Sequence, residues 1–343
     1  MKKKKMTSYD VLHVGNDYYY ISNEFNMLIR STVDNKCEII GCIPDERLNA
    51  ESLVSQMLHI NNTIVMIPLN AKKIWIFDID NRNWHGIRID DEDCKYKFMR
   101  AIRKGSKLYL LPSKYRRVII LNILTYEIKY IDIEDKTKGI CNSTFFRADV
   151  VCFDHMLYAA YCGGDYVLAF DMTRETYEWK KVGANCDGYS GIAWDGKKFW
   201  LLPRKDEKRV VLWDGKTLMG KVEIHTSNGG INRGIIAVQN KVYVNRDNET
   251  IVIDCDKAKD EGEREPAYFF YNIIDNKIHY LRYNNEYTWI KDGLRHTDLL
   301  ELHEEAIKNF AVKNDSNSVI DGEVVCENEL FGISDFLSFV SNK

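Results

Sequence analysis

One short pattern of residues recurs along this chain, and its spacing limits the folds open to it. In one copy, a polar turn at Lys104-Gly105-Ser106-Lys107 leads into Leu108-Tyr109-Leu110-Leu111 and stops at Pro112, and a second run, Val118-Ile119-Ile120-Leu121, closes at Asn122. Near-copies are Thr63 to Pro68 with Ile74 to Asp78, and Gly196 to Pro203 with Val210 to Asp214. Aligned on the proline position, the copies fall at Ser22, Pro68, Pro112, Tyr161, Pro203, Arg246 and Arg282, in steps of 46, 44, 49, 42, 43 and 36 residues. Periods of this length, with several short strands each, match the blades of a β-propeller. Helical solenoids share the period, but their apolar residues recur at i, i+3 and i+4. Here the runs alternate or stay apolar throughout, and Val, Ile and Tyr dominate them.

Composition narrows the function classes. The 343 residues suffice for one large all-β domain, and the 5 prolines exclude a long Pro-rich disordered linker. A net charge of −3 gives no general affinity for nucleic acid. The 9 cysteines stand singly from Cys37 to Cys326 with no CxxC pair, as expected of reduced cytoplasmic thiols. Lys2 to Lys5 are followed by Thr7-Ser8-Tyr9-Asp10 rather than by the apolar stretch of a signal peptide. No apolar run approaches the ~18 residues of a membrane span. The expected location is the cytoplasm.

The expected architecture is a seven-bladed propeller of four-stranded blades over residues 8–292, with six blades as the alternative if the last repeat is incomplete. The repeats begin near Tyr9, Gln56, Phe98, Phe145, Tyr189, Asn232 and Tyr268. Residues 293–343 read as a short helical extension. Asp298 would cap a helix with Glu301 at its third position, and Leu299, Leu302, Ala306 and Phe310 would form one apolar stripe. The apolar end, with Phe336 and Leu337, would dock on the propeller or on a partner.

In a propeller blade, the loops joining second to third strands and the connections between blades share one face. Here those segments carry Arg204, Arg246 and Arg282, with Arg100, Arg147 and Arg233 at the entries to inner strands and Phe146 and Tyr189 beside them. Guanidinium forks with aromatic planes nearby suit carboxylate, phosphate or sugar-acid groups. These eight residues are the expected binding set, for an acidic protein partner or an anionic glycan. Catalytic signatures are missing from the sequence. The 8 histidines do not cluster, His303-Glu304-Glu305 is not HExxH, and neither GxSxG nor GxxxxGK[ST] occurs. No catalytic residue, metal ligand or cofactor is assigned. The leading expectation is a non-catalytic binding or scaffold protein, and the alternative is a lyase or hydrolase acting on a sugar-acid or sugar-phosphate in the channel.

The Lys-Leu-Tyr and Lys-Val-Tyr strand starts, the endings Phe77-Asp78, Phe170-Asp171 and Trp213-Asp214, and the outer-strand Trp84 and Trp179 resemble kelch-type repeats. The chain is most similar to bacterial kelch-like propellers that end the second strand with Leu-Pro or Ile-Pro. That resemblance implies the propeller architecture over residues 8–292 and no particular activity.

Overall fold

The computed structural model describes residues 3–32, 36–136, 144–205, 208–226, 230–291, 294–303, 305–306, 323–326 and 329–332. After β1 (Lys3–Lys5), seven four-stranded antiparallel sheets follow in sequence, each made of four consecutive strands. Blade 1 is β2 (Val11–Val14), β3 (Asp17–Ile21), β4 (Leu28–Thr32) and β5 (Cys37–Gly41). Blade 2 is β6 (Val54–Ile60), β7 (Thr63–Pro68), β8 (Lys73–Asp78) and β9 (Trp84–Arg88). Blade 3 is β10 (Phe98–Lys104), β11 (Lys107–Pro112), β12 (Arg117–Asn122) and β13 (Ile128–Asp132). Blade 4 is β14 (Val150–Phe153), β15 (Met156–Ala160), β16 (Tyr166–Asp171) and β17 (Thr176–Lys181). Blade 5 is β18 (Tyr189–Trp194), β19 (Phe199–Pro203), β20 (Arg209–Trp213) and β21 (Leu218–Glu223). Blade 6 is β22 (Asn232–Val238), β23 (Lys241–Arg246), β24 (Thr250–Asp254) and β25 (Arg264–Glu265). Blade 7 is β26 (Tyr268–Ile274), β27 (Lys277–Arg282), β28 (Glu286–Lys291) and β29 (Leu294–Leu299). The chain ends in β30 (Glu301–His303), β31 (Glu323–Cys326) and β32 (Glu329–Gly332). This is a seven-bladed β-propeller, nearly all-β, in which the expected six-blade alternative does not arise.

The expected helix does not begin at Asp298: residues 294–299 and 301–303 are strand, and Glu305 and Ala306 are helical. Asp298 lies in β29, the outermost strand of blade 7, and accepts a hydrogen bond from Tyr18 Oη. Leu302 lies in β30, which pairs with β1 in the register Lys3↔His303 and Lys5↔Glu301. The stripe at helical spacing failed because the strand Leu294–Leu299 finds a partner in β28, and a paired backbone outweighs a weak local preference. Phe310, Phe336 and Leu337 lie outside the described residues.

The chain divides into two compact units, residues 1–95 with 283–343, and residues 96–282. In the first, the N-terminal segment is laced to the last strands. Met6 N donates to Leu300 O at 2.8 Å, Asn285 Nδ2 donates to Met6 O, and a His13 ring nitrogen lies 2.8 Å from Tyr287 Oη.

In the second unit, blades pack through the side chains that recur along the second strands. Tyr109 packs against Phe170 at 5.9 Å between ring centres and donates to Met172 O at 2.7 Å. Tyr158 lies against Phe199, and Trp200 is fully buried with Leu202, Val242 and Ile251. These aromatics are the mortar between sheets.

The Asp that ends most third strands has a local purpose. Asp171, Asp214 and Asp254 accept backbone N–H bonds from residues two and three positions on, and Asn122 does the same for Leu124. Backbone donors hold the Asp171 and Asp214 carboxyls below the usual carboxylate range. We expect Asp214→Ala to lower the melting temperature and Asp214→Asn to preserve it, since an amide oxygen can accept the same bonds as Asn122 does. Thermal denaturation of the two variants checks this.

Candidate functional site

Five blades share a bulge where the inner strand begins. In blades 2, 3, 5, 6 and 7 the pairing skips one residue, between Val54/Gln56, Phe98/Arg100, Tyr189/Gly191, Asn232/Gly234 and Tyr268/Phe270. An inserted residue bends the strand and re-aims the side chains around it. Within the 96–282 unit, the positions after the bulge are Arg100, Gly191, Gly234 and Phe270, and in blade 4 the matching position is Asp149, just before β14.

Asp149 is the hub of this unit. Its Oδ2 accepts Ile235 N at 2.7 Å, and its Oδ1 accepts Tyr271 Oη at 2.5 Å. The two glycines at the equivalent position make room for it. A Cβ on Gly191 would collide with Asp149 Oδ2, and one on Gly234 would collide with Tyr271 Oη and Asp149 Oδ2. Arg100 closes the cluster, with Nε donating to Ala148 O at 3.2 Å, Nη2 donating to Tyr271 O at 3.1 Å, and its guanidinium 5.6 Å from the centre of the Phe270 ring.

Burial pushes the Asp149 carboxyl up to about 6, against the pull of the Tyr271 and Ile235 donors and of the Arg100 and Arg147 charges. Burial, and then the Asp149 charge, push Tyr271 well above its ordinary value, so it stays a neutral donor. The folded carboxyl thus holds its proton to higher pH than the unfolded one at about 4. Its contribution to stability is greatest below pH 4 and falls as pH rises to about 6. Asp149→Asn is expected to remove that slope, a change of about 3 kcal/mol between the two limits. Chemical denaturation at pH 4.5 and 7.5 measures it; an unaltered slope in the variant contradicts it.

Beside this hub lie the segments that carry Arg147 and Arg204. Arg147 is half-buried and Arg204 exposed, and the charges of both pull against the rise in the Cys162 thiol's proton affinity. Burial pushes that thiol up to about 11 despite both charges, so it is neutral. Backbone bonds join the loops that carry them. Phe145 N donates to Ser113 O at 2.6 Å, Cys162 N to Phe145 O at 2.8 Å, Tyr189 N to Tyr161 O at 2.9 Å, and Arg204 N to Gly188 O at 2.8 Å. Cation–aromatic pairs lie at the same end, since Ser113 N also donates to Lys97 O at 2.7 Å. Lys114 Nζ sits 5.0 Å from the Tyr96 ring centre, and the Arg117 guanidinium 5.2 Å and 4.6 Å from those of Tyr115 and Tyr130.

The eight residues expected to bind therefore part company. Arg147 and Arg204 lie on segments tied by the backbone bonds above, and Arg100 donates to Ala148 O, next to Arg147. Arg233 does not join them; it occupies the bulge of blade 6, is exposed, and pairs with Asp247 at 3.4 Å. Arg282 Nη2 donates to Tyr280 Oη at 3.2 Å, and the guanidinium rests 5.1 Å from that ring centre. The other three have buried side chains. Arg246 is fully buried with Nη2 donating to Gly230 O, Phe146 stacks on Trp179 in the core between blades 3 and 4, and Tyr189 is buried with Oη donating to Asp165 at 2.5 Å.

Asp149 as a hub, Tyr271 and Cys162 escape a sequence reading that follows positive charge. The signal that would have found them is the pair Gly191-Ile192 and Gly234-Ile235, glycines at one register position of two consecutive inner strands, which mark a close approach.

No family model matches the chain, and no curated protein matches it. Solved structures of similar fold include a streptogramin B lyase, with 12% identity over 81% of this chain and 91% of that one and a TM-score of 0.60. BamB from Moraxella catarrhalis shares 10% identity over 82% of this chain and 96% of its own, with a TM-score of 0.51. PorZ of Porphyromonas gingivalis, a surface component of the type-IX secretion system, shares 12% identity over 88% of this chain and 39% of its own, with a TM-score of 0.56. At these identities the likeness shows the fold alone.

Proposed function

We propose that this propeller is a non-catalytic binding or scaffold protein and that its 96–282 unit captures an acidic side chain of a protein partner between Arg147 and Arg204. The observation that carries the reading is that backbone bonds tie together the segments bearing half-buried Arg147 and exposed Arg204, with cation–aromatic pairs at the same end. Guanidinium forks bind carboxylates bidentately, and a half-buried one loses less to solvent screening. The lyase or hydrolase alternative would need Asp149 and Tyr271 as its acid–base pair. Each oxygen of Asp149 already accepts a short hydrogen bond, and the carboxyl is buried, so the geometry favours binding. Propellers of similar fold include both a secretion-system component and a lyase, so fold decides nothing between the two.

Two finer points belong to the same proposal. The repeats are kelch-like, a reading supported by the Asp-closed third strands of blades 2, 4, 5 and 6. The location is cytoplasmic, supported by seven cysteines that are free thiols. No described helix is long and apolar enough to cross a membrane.

The test is a fluorescence titration of a labelled oligo-aspartate peptide, with a sulfated oligosaccharide as second probe. Arg204→Glu reverses an exposed charge and should leave the melting temperature unchanged while weakening peptide binding by about tenfold or more. Equal binding by wild type and variant contradicts the site, and preference for the saccharide replaces the protein partner with an anionic glycan.

A further inference from the structure

Two loops at one end of blade 3 set cations on tyrosine rings. The connection into β10 brings Tyr96, and the loop between β11 and β12 brings Lys114, Tyr115 and Arg116. Backbone bonds fix the two loops side by side, with Ser113 N donating to Lys97 O at 2.7 Å and Lys114 N to Tyr96 O at 2.9 Å. Lys114 Nζ then lies 5.0 Å from the Tyr96 ring centre. Arg117, the first residue of β12, rests against two rings, 5.2 Å from the centre of Tyr115 and 4.6 Å from that of Tyr130, and its Nη2 donates to Tyr115 Oη at 3.4 Å. Tyr115 is itself anchored, buried beside Phe98 with 4.9 Å between ring centres. Lys114 and Arg117 are therefore held in place before any partner arrives, which lowers the ordering cost of binding.

Two residues here adopt a backbone conformation that large side chains rarely take. Tyr96 has a φ of 54° and Arg116 a φ of 72°. The Arg116 side chain gains no contact in return. It is exposed, as is Lys114, and neither enters an ion pair among the described residues. Strain kept at an exposed arginine points to its use by a partner. The carboxylates that follow in blade 3 are engaged elsewhere, Glu134 with Lys136 at 2.6 Å and Asp135 as acceptor of Tyr161 Oη. Asp132 stands opposite Arg117 in the pairing of β12 with β13, so the excess positive charge resides on Lys114 and Arg116.

We propose that Tyr96, Lys114, Arg116 and Arg117 form a docking surface on blade 3 for an acidic peptide segment of a partner protein, one that presents carboxylates at more than one position. This surface is separate from the Arg147–Arg204 site and does not rest on it. The Arg116 fork takes one carboxylate bidentately, and the Lys114 ammonium takes another as a point charge. The same geometry disfavours single-stranded nucleic acid. Bases need open aromatic faces to stack on, whereas Tyr115 is buried, Arg117 lies on Tyr115 and Tyr130, and Lys114 lies on Tyr96.

The experiment titrates the full chain with the labelled oligo-aspartate peptide and, separately, with a labelled oligothymidylate. Arg116→Glu should weaken peptide binding by about tenfold or more. Arg103→Glu makes the same charge change at an exposed position toward the far end of β10, beyond a Debye length at physiological salt, and should weaken binding by no more than about twofold. Equal losses in the two variants would reduce the effect to general attraction and overturn the surface, as would peptide binding that Arg116→Glu leaves unchanged. Arg116→Gly is the second variant. Glycine accepts a φ of 72° without strain, so binding should weaken while the melting temperature holds or rises. A lower melting temperature in Arg116→Gly would make Arg116 a structural residue and overturn the role given to its strain. Tighter binding of the oligothymidylate than of the peptide, lost in Arg116→Glu, would replace the acidic segment with nucleic acid and overturn the proposal. Peptide binding that Arg204→Glu abolishes and Arg116→Glu spares overturns this surface and leaves the Arg147–Arg204 reading standing.

Discussion

Gly191→Ala is expected to destabilise the protein by about 3 kcal/mol, far more than one added methyl group costs elsewhere. The added Cβ would occupy space held by Asp149 Oδ2 and would lie 3.1 Å from Ile235 Cγ2. To relieve the clash, the carboxylate must leave Ile235 N and Tyr271 Oη, which strands a buried anion and two buried donors. Gly196→Ala is the contrasting control. Gly196 sits at a hairpin tip with a φ of 95° and nothing within 4 Å of a Cβ, so the methyl group meets only backbone strain. That change should cost about 1 kcal/mol. Urea denaturation of both variants decides the matter: equal losses would mean that the Asp149 hub is not rigid.

Trp200→Ala is expected to cost about 3–5 kcal/mol, the range for deleting a buried aromatic side chain. Trp200 lies on β19 between blades 5 and 6, with Val210, Val244 and Ile253 in the same cluster. Its Nε1 donates to Asp195 Oδ2 at 2.7 Å, and Lys198 Nζ lies 5.1 Å from its ring centre and 2.9 Å from Asp195. The side chain therefore fills the gap between two sheets and fixes the hairpin of its own blade. Trp200→Phe keeps most of the packing and should lose about 1–2 kcal/mol, with the indole hydrogen bond as most of the difference. A loss under 1 kcal/mol for the alanine variant would show that the neighbouring sheets do not depend on this contact.

The blades were legible because each repeats a local code. Alternating apolar strands, left-handed turn residues such as Asn61, Asp154 and Asn240, and an Asp at the end of the third strand recur at propeller spacing. The last strand of blade 7 was not legible. Leu294–Leu299 carries Arg295, His296 and Asp298, and its strand state comes from pairing with β28 rather than from its own residues. The site was legible in part. Arg147 and Arg204 stand out as charges, whereas Arg246 shows the same letter and is buried against a carbonyl. Only the bulge register separates such cases, and a bulge is set by pairing between strands that no single repeat displays. The role of Asp149 as hub depends on Gly191, Gly234 and Tyr271, which lie 42, 85 and 122 residues away in sequence.

The most direct test of the account is hydrogen–deuterium exchange of the whole chain with and without the oligo-aspartate peptide. The account predicts slower exchange at residues 145–149, 161–164 and 188–191 and at Arg204, with smaller effects elsewhere. Protection confined to other segments, or none at saturating peptide, would contradict it.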